Sequence, residues 1–395
     1  MTAPAQRLKY LEGIRGLAAG VVLLAHLKQA FAITLEQDSY QWLYHISGSA
    51  ILAKMINSFL IFSLDGKLAV QVFWFMSGYV LSLKLFEKDG WRYLQTAFLK
   101  RYFRLALPAA ASVLLAYVLL QAGMMYNARL AERMGAAYAG WNEMYAFAPN
   151  FGNALRSAFW DTFFAFSFRT AYNPILWTMG PELFGSFICF LLFALFQYRK
   201  GRYLFFAALL LLAVLFQYYW VLNFVLGYWL CDARARSVRF NKRIRPLAAL
   251  FSRGPFWLLA GLLLVWTDGF FQQYYIVFAQ LLVSVAGVGL VMYSRPLQAF
   301  FGKPFPVWLG KISFGLYLVH IPLICSFSCY MYLHCGGPGL WTGLLTAVTS
   351  SILITGIACF FTILVDQPSI RLAGRIGNFL QQRTRLLWSL LNRTT

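Results

Sequence analysis

The sequence predicts an all-α, polytopic integral membrane protein with about ten transmembrane helices and both termini in the cytoplasm, N-in and C-in. Three observations carry that prediction. First, the 395 residues are 60% hydrophobic and only 12% charged, against roughly a quarter charged in soluble domains. A soluble fold must cover its surface with polar groups and cannot bury so much apolar area. Second, the runs Leu204 to Leu215, Val277 to Met292 and Leu344 to Val365 are almost free of charge, near the roughly 20 residues that a spanning helix needs. A β-barrel would show short alternating segments instead. Third, Lys and Arg gather in every second gap between the apolar runs.

The apolar runs place spans at 14–33, 68–86, 105–122, 174–196, 203–217, 219–231, 254–267, 274–293, 312–332 and 342–365. With the N-terminus inside, the cytoplasmic segments hold 27 of the 34 Lys and Arg. That asymmetry follows the positive-inside rule and favours an even number of spans. It also accounts for the net charge of +21 without nucleic acid as a partner. Whether 203–231 is one long span or two short ones stays open at this level. Two outside loops are long, 34–67 and 123–173. The second carries Phe159, Trp160, Phe163, Phe164, Phe166 and Phe168. Its residues 153–168 form either an interfacial or re-entrant helix over a cavity or a plain loop cap.

The membrane domain is expected over residues 1–366 and a basic amphipathic cytoplasmic tail over 367–395. The tail mixes Arg371, Arg375, Arg383 and Arg385 with Ile376, Phe379, Leu387 and Trp388. Such a helix suits an anionic leaflet, each basic residue contributing about 1 kcal/mol. The sequon Asn392-Arg393-Thr394 is a chance match on that side. Six cysteines fall mostly inside the spans without metal-type spacing, so they read as small core residues, and no metal site is expected. Arg7, Lys9 and the apolar stretch after them resemble a leader, but Glu12 and Arg15 speak against cleavage.

Ionisable groups inside spans cost at least about 2.5–3.5 kcal/mol, so each needs a reason. Arg15 and His26 lie eleven residues apart in the first span, about three turns, hence on one face and roughly 16 Å apart along the axis. A neutral imidazole at that depth can take or give a proton; the alternative is a packing hydrogen bond. Lys100, Arg101 and Arg104 precede the third span. Arg101 and Arg104, at i,i+3, point their forks the same way, as phosphate binding requires, or are ordinary topology anchors. Glu182 follows Gly180 and Pro181 in the fourth span and should face a partner or a wet cavity. His320 stands beside Pro322 in the ninth, as a substrate contact or as a packing residue bonding a freed carbonyl. His45 and His334 fall in loops and receive no role.

Taken in order, these segments resemble the membrane-bound acyltransferase 3 family. The likeness rests on Leu11-Glu12-Gly13-Ile14-Arg15-Gly16-Leu17 with His26, and on Phe73-Trp74-Phe75-Met76-Ser77-Gly78-Tyr79. Arg101-Tyr102-Phe103-Arg104 with Pro108, and Trp177-Thr178 through Glu182 with Gly185-Ser186, continue it. Tyr317-Leu318-Val319-His320-Ile321-Pro322 and Asp366-Gln367-Pro368 close it, the last with Asp where Glu is commoner. Each motif alone is weak; six in order are specific.

The resemblance implies an acetyl-CoA-dependent O-acetyltransferase, moving an acyl group from cytoplasmic acyl-CoA to a hydroxyl of an envelope glycan or lipid-linked saccharide. The expected setting is a bacterial inner membrane. Acyl-CoA enters as co-substrate, with no bound cofactor. The chain ends too soon for the fused esterase-like domain of some members and is expected to act alone or with a separate partner. On this reading His26 is the general base, with an acyl-histidine intermediate as a variant. Arg15 stabilises the oxyanion, and Glu182 orients His26. Arg101, Arg104 and Lys100 hold the donor phosphates. Ser77, Trp177, Tyr317 and His320 contact substrate. The competing class is a multi-pass carrier using buried His and Glu for proton coupling; the absence of a detectable internal repeat weighs against it.

Overall fold

The computed structural model describes residues 9–31, 41, 43–49, 52–53, 65–87, 90–135, 139–199, 201–236, 242–243, 246, 273–335 and 339–391. Among these residues all regular structure is helical, without strands. Among the described residues six helices are long and apolar enough to cross a membrane, or seven if the bent pair Gln280–Tyr293 and Arg295–Phe301, angled at 99°, is one span.

The bundle is held at its centre by glycines that let backbones touch, as lipid-embedded helices require. Helix α1 (Lys9–Ala30) and helix α2 (Gly66–Leu85) meet where Gly66 lies beside Ala25, so they run in opposite directions. Helix α3 (Gly90–Gln121) follows. At 32 residues it measures about 48 Å, well beyond the roughly 30 Å hydrocarbon thickness. After α4 (Asn127–Met134), a broken helix descends along α3. It comprises α5 (Phe151–Arg156), a π-helical turn Ser157–Asp161, and a last turn Thr162–Phe164. Phe151 packs on Tyr117 at one end, while Tyr102 Oη donates to Phe159 O at 2.6 Å and stacks near Phe163 at the other. The fifteen residues between Tyr102 and Tyr117 correspond to about 22 Å of α3. The aromatic stretch 153–168 is therefore re-entrant, because the chain climbs back to Tyr172 beside Tyr117 before entering α6 (Met179–Phe196).

The expected stretch 203–231 is two helices. Helix α7 (Arg202–Leu215) and α8 (Tyr219–Arg236) are separated by a turn in which Gln217 takes φ 60°. Arg202 pairs with Asp232 at 3.0 Å and Phe206 packs on Tyr228, an antiparallel hairpin. Helix α8 lies parallel to α2, Asn223 donating to Gln71 and, further along each, Tyr228 packing on Phe86, with Gly227 against the Phe75 carbonyl and Gly78 against Phe224 in close contact between them. The expected span 254–267 lies outside the described residues. Helix α9 (Gln273–Tyr293) also runs parallel to α2: Gln280 donates to Asp65 at the start of α2, while further along each helix Tyr79 and Tyr293 flank the Arg234 guanidinium at 5.8 and 4.8 Å. Gln71 also donates to Val277 O at 3.2 Å. Asn223 donates to Gln71, and Ser284 to Asn223 at 3.4 Å, tying α2, α8 and α9 by buried amides.

Helix α10 (Arg295–Phe301) leads to α11 (Pro304–Leu323). Helices α1 and α11 are parallel: Gly16 abuts Gly310, and ten residues further along each, His26 meets His320. A π-helical segment Ile324–Ser328, α12 (Cys329–His334) and α13 (Leu340–Phe361) follow. His334 is thus helical, as is His45. Helix α13 runs antiparallel to α11, Gly315 lying against the Ala358 carbonyl. A second π-helical turn, Thr362–Asp366, carries the chain without a break into α14 (Gln367–Leu391).

Candidate active site

A cavity of about 540 Å³ lies among α1, α2, α3, α6, α11 and α14. Along α2 its lining extends from Lys84 to Val70, fourteen residues and hence about 21 Å. Five cations reach its wall, Arg15, Lys84, Lys100, Arg101 and Arg104, against one carboxylate, Glu182. The remaining surface is largely apolar, with Phe73, Trp74, Met76 and Phe314 among its members. Excess positive charge in a low-dielectric cleft attracts an anionic ligand.

Glu182 sits in the first turn of α6, where the helix dipole favours a negative charge. Pro181 therefore does not break the helix: the first turn has no use for its missing N–H. Arg101 donates through Nη2 to Glu182 and to Ser77 Oγ, the latter at 3.0 Å, and through Nε to Ser186 Oγ at 2.7 Å. Ser77 Oγ in turn donates to Glu182. This places three helices, α2, α3 and α6, on one guanidinium. Arg104 points to the next helix pair instead. Its Nη1 meets Asp366 Oδ1 at 2.6 Å, and its guanidinium lies 4.9 Å from the Phe314 ring centre. Arg15 sits 3.6 Å from Glu12, one turn below it. Lys100 Nζ donates to Asn378 Oδ1 at 3.3 Å.

The far end of the cavity is closed by Tyr317. Its Oη lies 2.7 Å from Thr178 Oγ1 and 3.2 Å from Ile175 O, and its ring lies edge-on to Phe73 at 6.1 Å. Behind Tyr317 stand the two imidazoles, His320 with its ring centre 5.8 Å from that of Tyr317 and His26 at 4.9 Å from His320. His26 Nδ1 is 2.8 Å from Val22 O, and His320 Nδ1 is 3.1 Å from Leu316 O. A carbonyl only accepts, so both Nδ1 atoms carry the proton and both Nε2 atoms keep a lone pair. His320 is fully buried and its Nε2 has no hydrogen-bond partner. The pair can receive a proton delivered from the Tyr317 side.

The structure gathers Arg15, Ser77, Lys100, Arg101, Arg104, Glu182 and Tyr317 on the cavity wall. Trp177 stands one shell back, edge-on to the wall residue Trp74 at 5.7 Å. His26 and His320 adjoin the closed end rather than the wall. Glu182 does not orient His26: its carboxylate is taken by Ser77 and Arg101, and the neighbour of His26 is His320. Nor does His320 repair the proline break. Pro322 has no N–H to give the Leu318 carbonyl, and Asn173 Nδ2 supplies that bond at 2.8 Å, while also donating to Ser112 Oγ at 3.1 Å. Sequence reasoning missed Asn173, whose only signal is its place before Pro174, and Lys84, one basic residue among several between two apolar runs. Asp366 was visible in its motif without a role; here it is the buried counterion of Arg104.

Comparison with known proteins agrees with this geometry. The family described as an acyltransferase domain matches residues 8–365. O-acetyltransferase PaAT-1 of Phomopsis amygdali is 26% identical over 372 residues, covering 80% of this chain and 72% of its own length. No solved structure gives a significant match. A multi-pass helical bundle, the ordered motifs and the match over nearly the whole chain lead to one assignment: the chain belongs to the membrane-bound acyltransferase 3 family.

Proposed function

We propose that the chain is an O-acetyltransferase that moves acetyl from cytoplasmic acetyl-CoA to a hydroxyl of an envelope glycan or lipid-linked saccharide. The proposed setting is a bacterial inner membrane. The observation that carries this reading is the cavity: five cations around a cleft about 21 Å deep that ends one residue short of two neutral imidazoles. A thioester donor has this shape, with phosphates at one end and a long thin arm at the other. Lys84 and Lys100 hold the phosphates together with Arg101 and Arg104, which are committed to Glu182 and Asp366 until a stronger anion competes. Tyr317 leaves Thr178 to let the thioester pass. His26 Nε2 then takes the proton of the acceptor hydroxyl as its oxygen attacks the thioester carbonyl. The C–S bond breaks and the proton returns to the CoA sulfur. Ser77, Trp177 and His320 border the path, and Arg15 faces the donor.

Ten crossings with both termini inside remain the proposed topology. Helices α2, α8 and α9 are parallel, so α8 ends and α9 begins at opposite ends of the bundle, which supports a further passage between them. Reporter fusions at each loop test it.

Purified protein in lipid, given acetyl-labelled CoA and a panel of envelope glycans, is expected to place label on sugar hydroxyls. No transfer to any of them, with the protein intact, overturns the proposal. Replacing Arg101 and Arg104 together by Gln is expected to weaken CoA binding; unchanged binding reduces both to structural ties.

A further inference from the structure

The helix after the matched family region supplies a wall of the cavity. Helix α14 runs antiparallel to the first part of α3. Asp366 meets Arg104, Gly377 packs against the Lys100 stem, Asn378 accepts from Lys100 Nζ, and Gln381 Nε2 donates to Gln95 at 3.2 Å. The buried positions of α14, Asp366, Ser369, Ala373 and Gly377, recur every three to four residues and turn toward α3. One position along, Ile370, Ala373 and Gly374 line the cavity between Arg104 and Lys100. Nothing lies within 4 Å of where a Gly374 side chain would begin. Its surroundings are open space at the level of the cations.

We infer that α14 is part of the donor-binding site, with Ile370, Ala373 and Gly374 forming the apolar face against which the phosphate-bearing arm of an acyl-CoA lies. The inference rests on reading the cavity as the donor site. An anionic head with a thin arm needs cations on one side and an uncharged surface on the other. Arg104 and Lys100 provide the first and this strip of α14 the second. The absence of a side chain at Gly374 keeps the passage open. The Arg104–Asp366 and Lys100–Asn378 contacts put the same two cations in touch with α14, so a donor that draws on either cation also bears on the position of this helix.

The test is binding of CoA to the detergent-solubilised full chain. Wild type is expected to bind. Gly374→Leu should fold, because Leu is the better helix former, and should bind CoA about tenfold more weakly by filling the passage. Gly356→Leu, in open space on α13 and off the cavity wall, should bind as wild type does. A second measurement uses Gly374→Cys and Gly201→Cys, the latter exposed between α6 and α7 and off the cavity wall, with a charged maleimide, read by peptide mass spectrometry. CoA should protect position 374 and leave 201 labelled. Wild type that does not bind CoA overturns the donor reading itself. Wild type that binds while Gly374→Leu binds equally well, or Gly374→Cys stays unprotected, overturns the role of α14 alone.

Discussion

An imidazole whose Nδ1 proton is committed to a backbone carbonyl has one nitrogen left for chemistry. Val22 and Leu316 impose that state on His26 and His320. His26→Ala is therefore expected to lower transfer by about 10²–10⁴, with expression and insertion unchanged; retained turnover would remove His26 from the chemistry. Asn173 acts on the backbone instead. Asn173→Ala strands the Leu318 carbonyl, and a loss of about 1–3 kcal/mol is expected in thermal unfolding in detergent. An unchanged midpoint would show that another donor takes over. Residues of both kinds differ in legibility. Arg15, His26, Arg101, Glu182 and His320 announce themselves, because a charge or imidazole in an apolar run is costly. Their partners do not. That Glu182 meets Arg101 on a helix 81 residues earlier depends on which helices face one another, and neither spacing nor composition encodes that.

At the scale of elements, apolar runs gave the positions of α1, α2, α6, α7, α9 and α13 to within a few residues, since crossing length is set by the bilayer. The ends were less legible. Helix α3 begins at Gly90 rather than near 105, because its first turns pack on α14 rather than on lipid alone. The two run antiparallel and are joined through Arg104 and Asp366. Asp366 is 7% exposed and Arg104 24%, so removing one partner leaves a largely buried charge uncompensated. Asp366→Ala is expected to cost about 3 kcal/mol. The double change Arg104→Met with Asp366→Leu should recover much of that stability, and equal unfolding midpoints for single and double variants would refute the pairing. The α5 segment was legible as aromatic and as either an interfacial or re-entrant helix or a loop cap, but not as a neighbour of α3. Its descent alongside α3 follows from Tyr102 and Tyr117, two ordinary residues in an apolar helix.

For the whole molecule, alternate clusters of Lys and Arg implied an alternation of direction. Among the described helices α1 is parallel to α11, α2 is parallel to α8 and α9, and α13 is antiparallel to α11. The placement of one deep, cation-lined cleft within that frame was not legible, because it arises where six helices fail to fill the space between them. Such a cleft hollows out much of the insulating layer between two solutions. What lies at its blind end is a tyrosine bonded to Thr178, and then two rings able to hand on a proton. If that plug were missing, a cell would hold a leak across its energised membrane. Tyr317→Ala reconstituted in liposomes should dissipate an imposed pH gradient faster than wild type, followed with an entrapped dye. Equal decay would mean that the insulation rests elsewhere. A faster decay would give the hydroxyl of Tyr317 a second task beside the proposed passage of an acyl group, in the bioenergetics of the host.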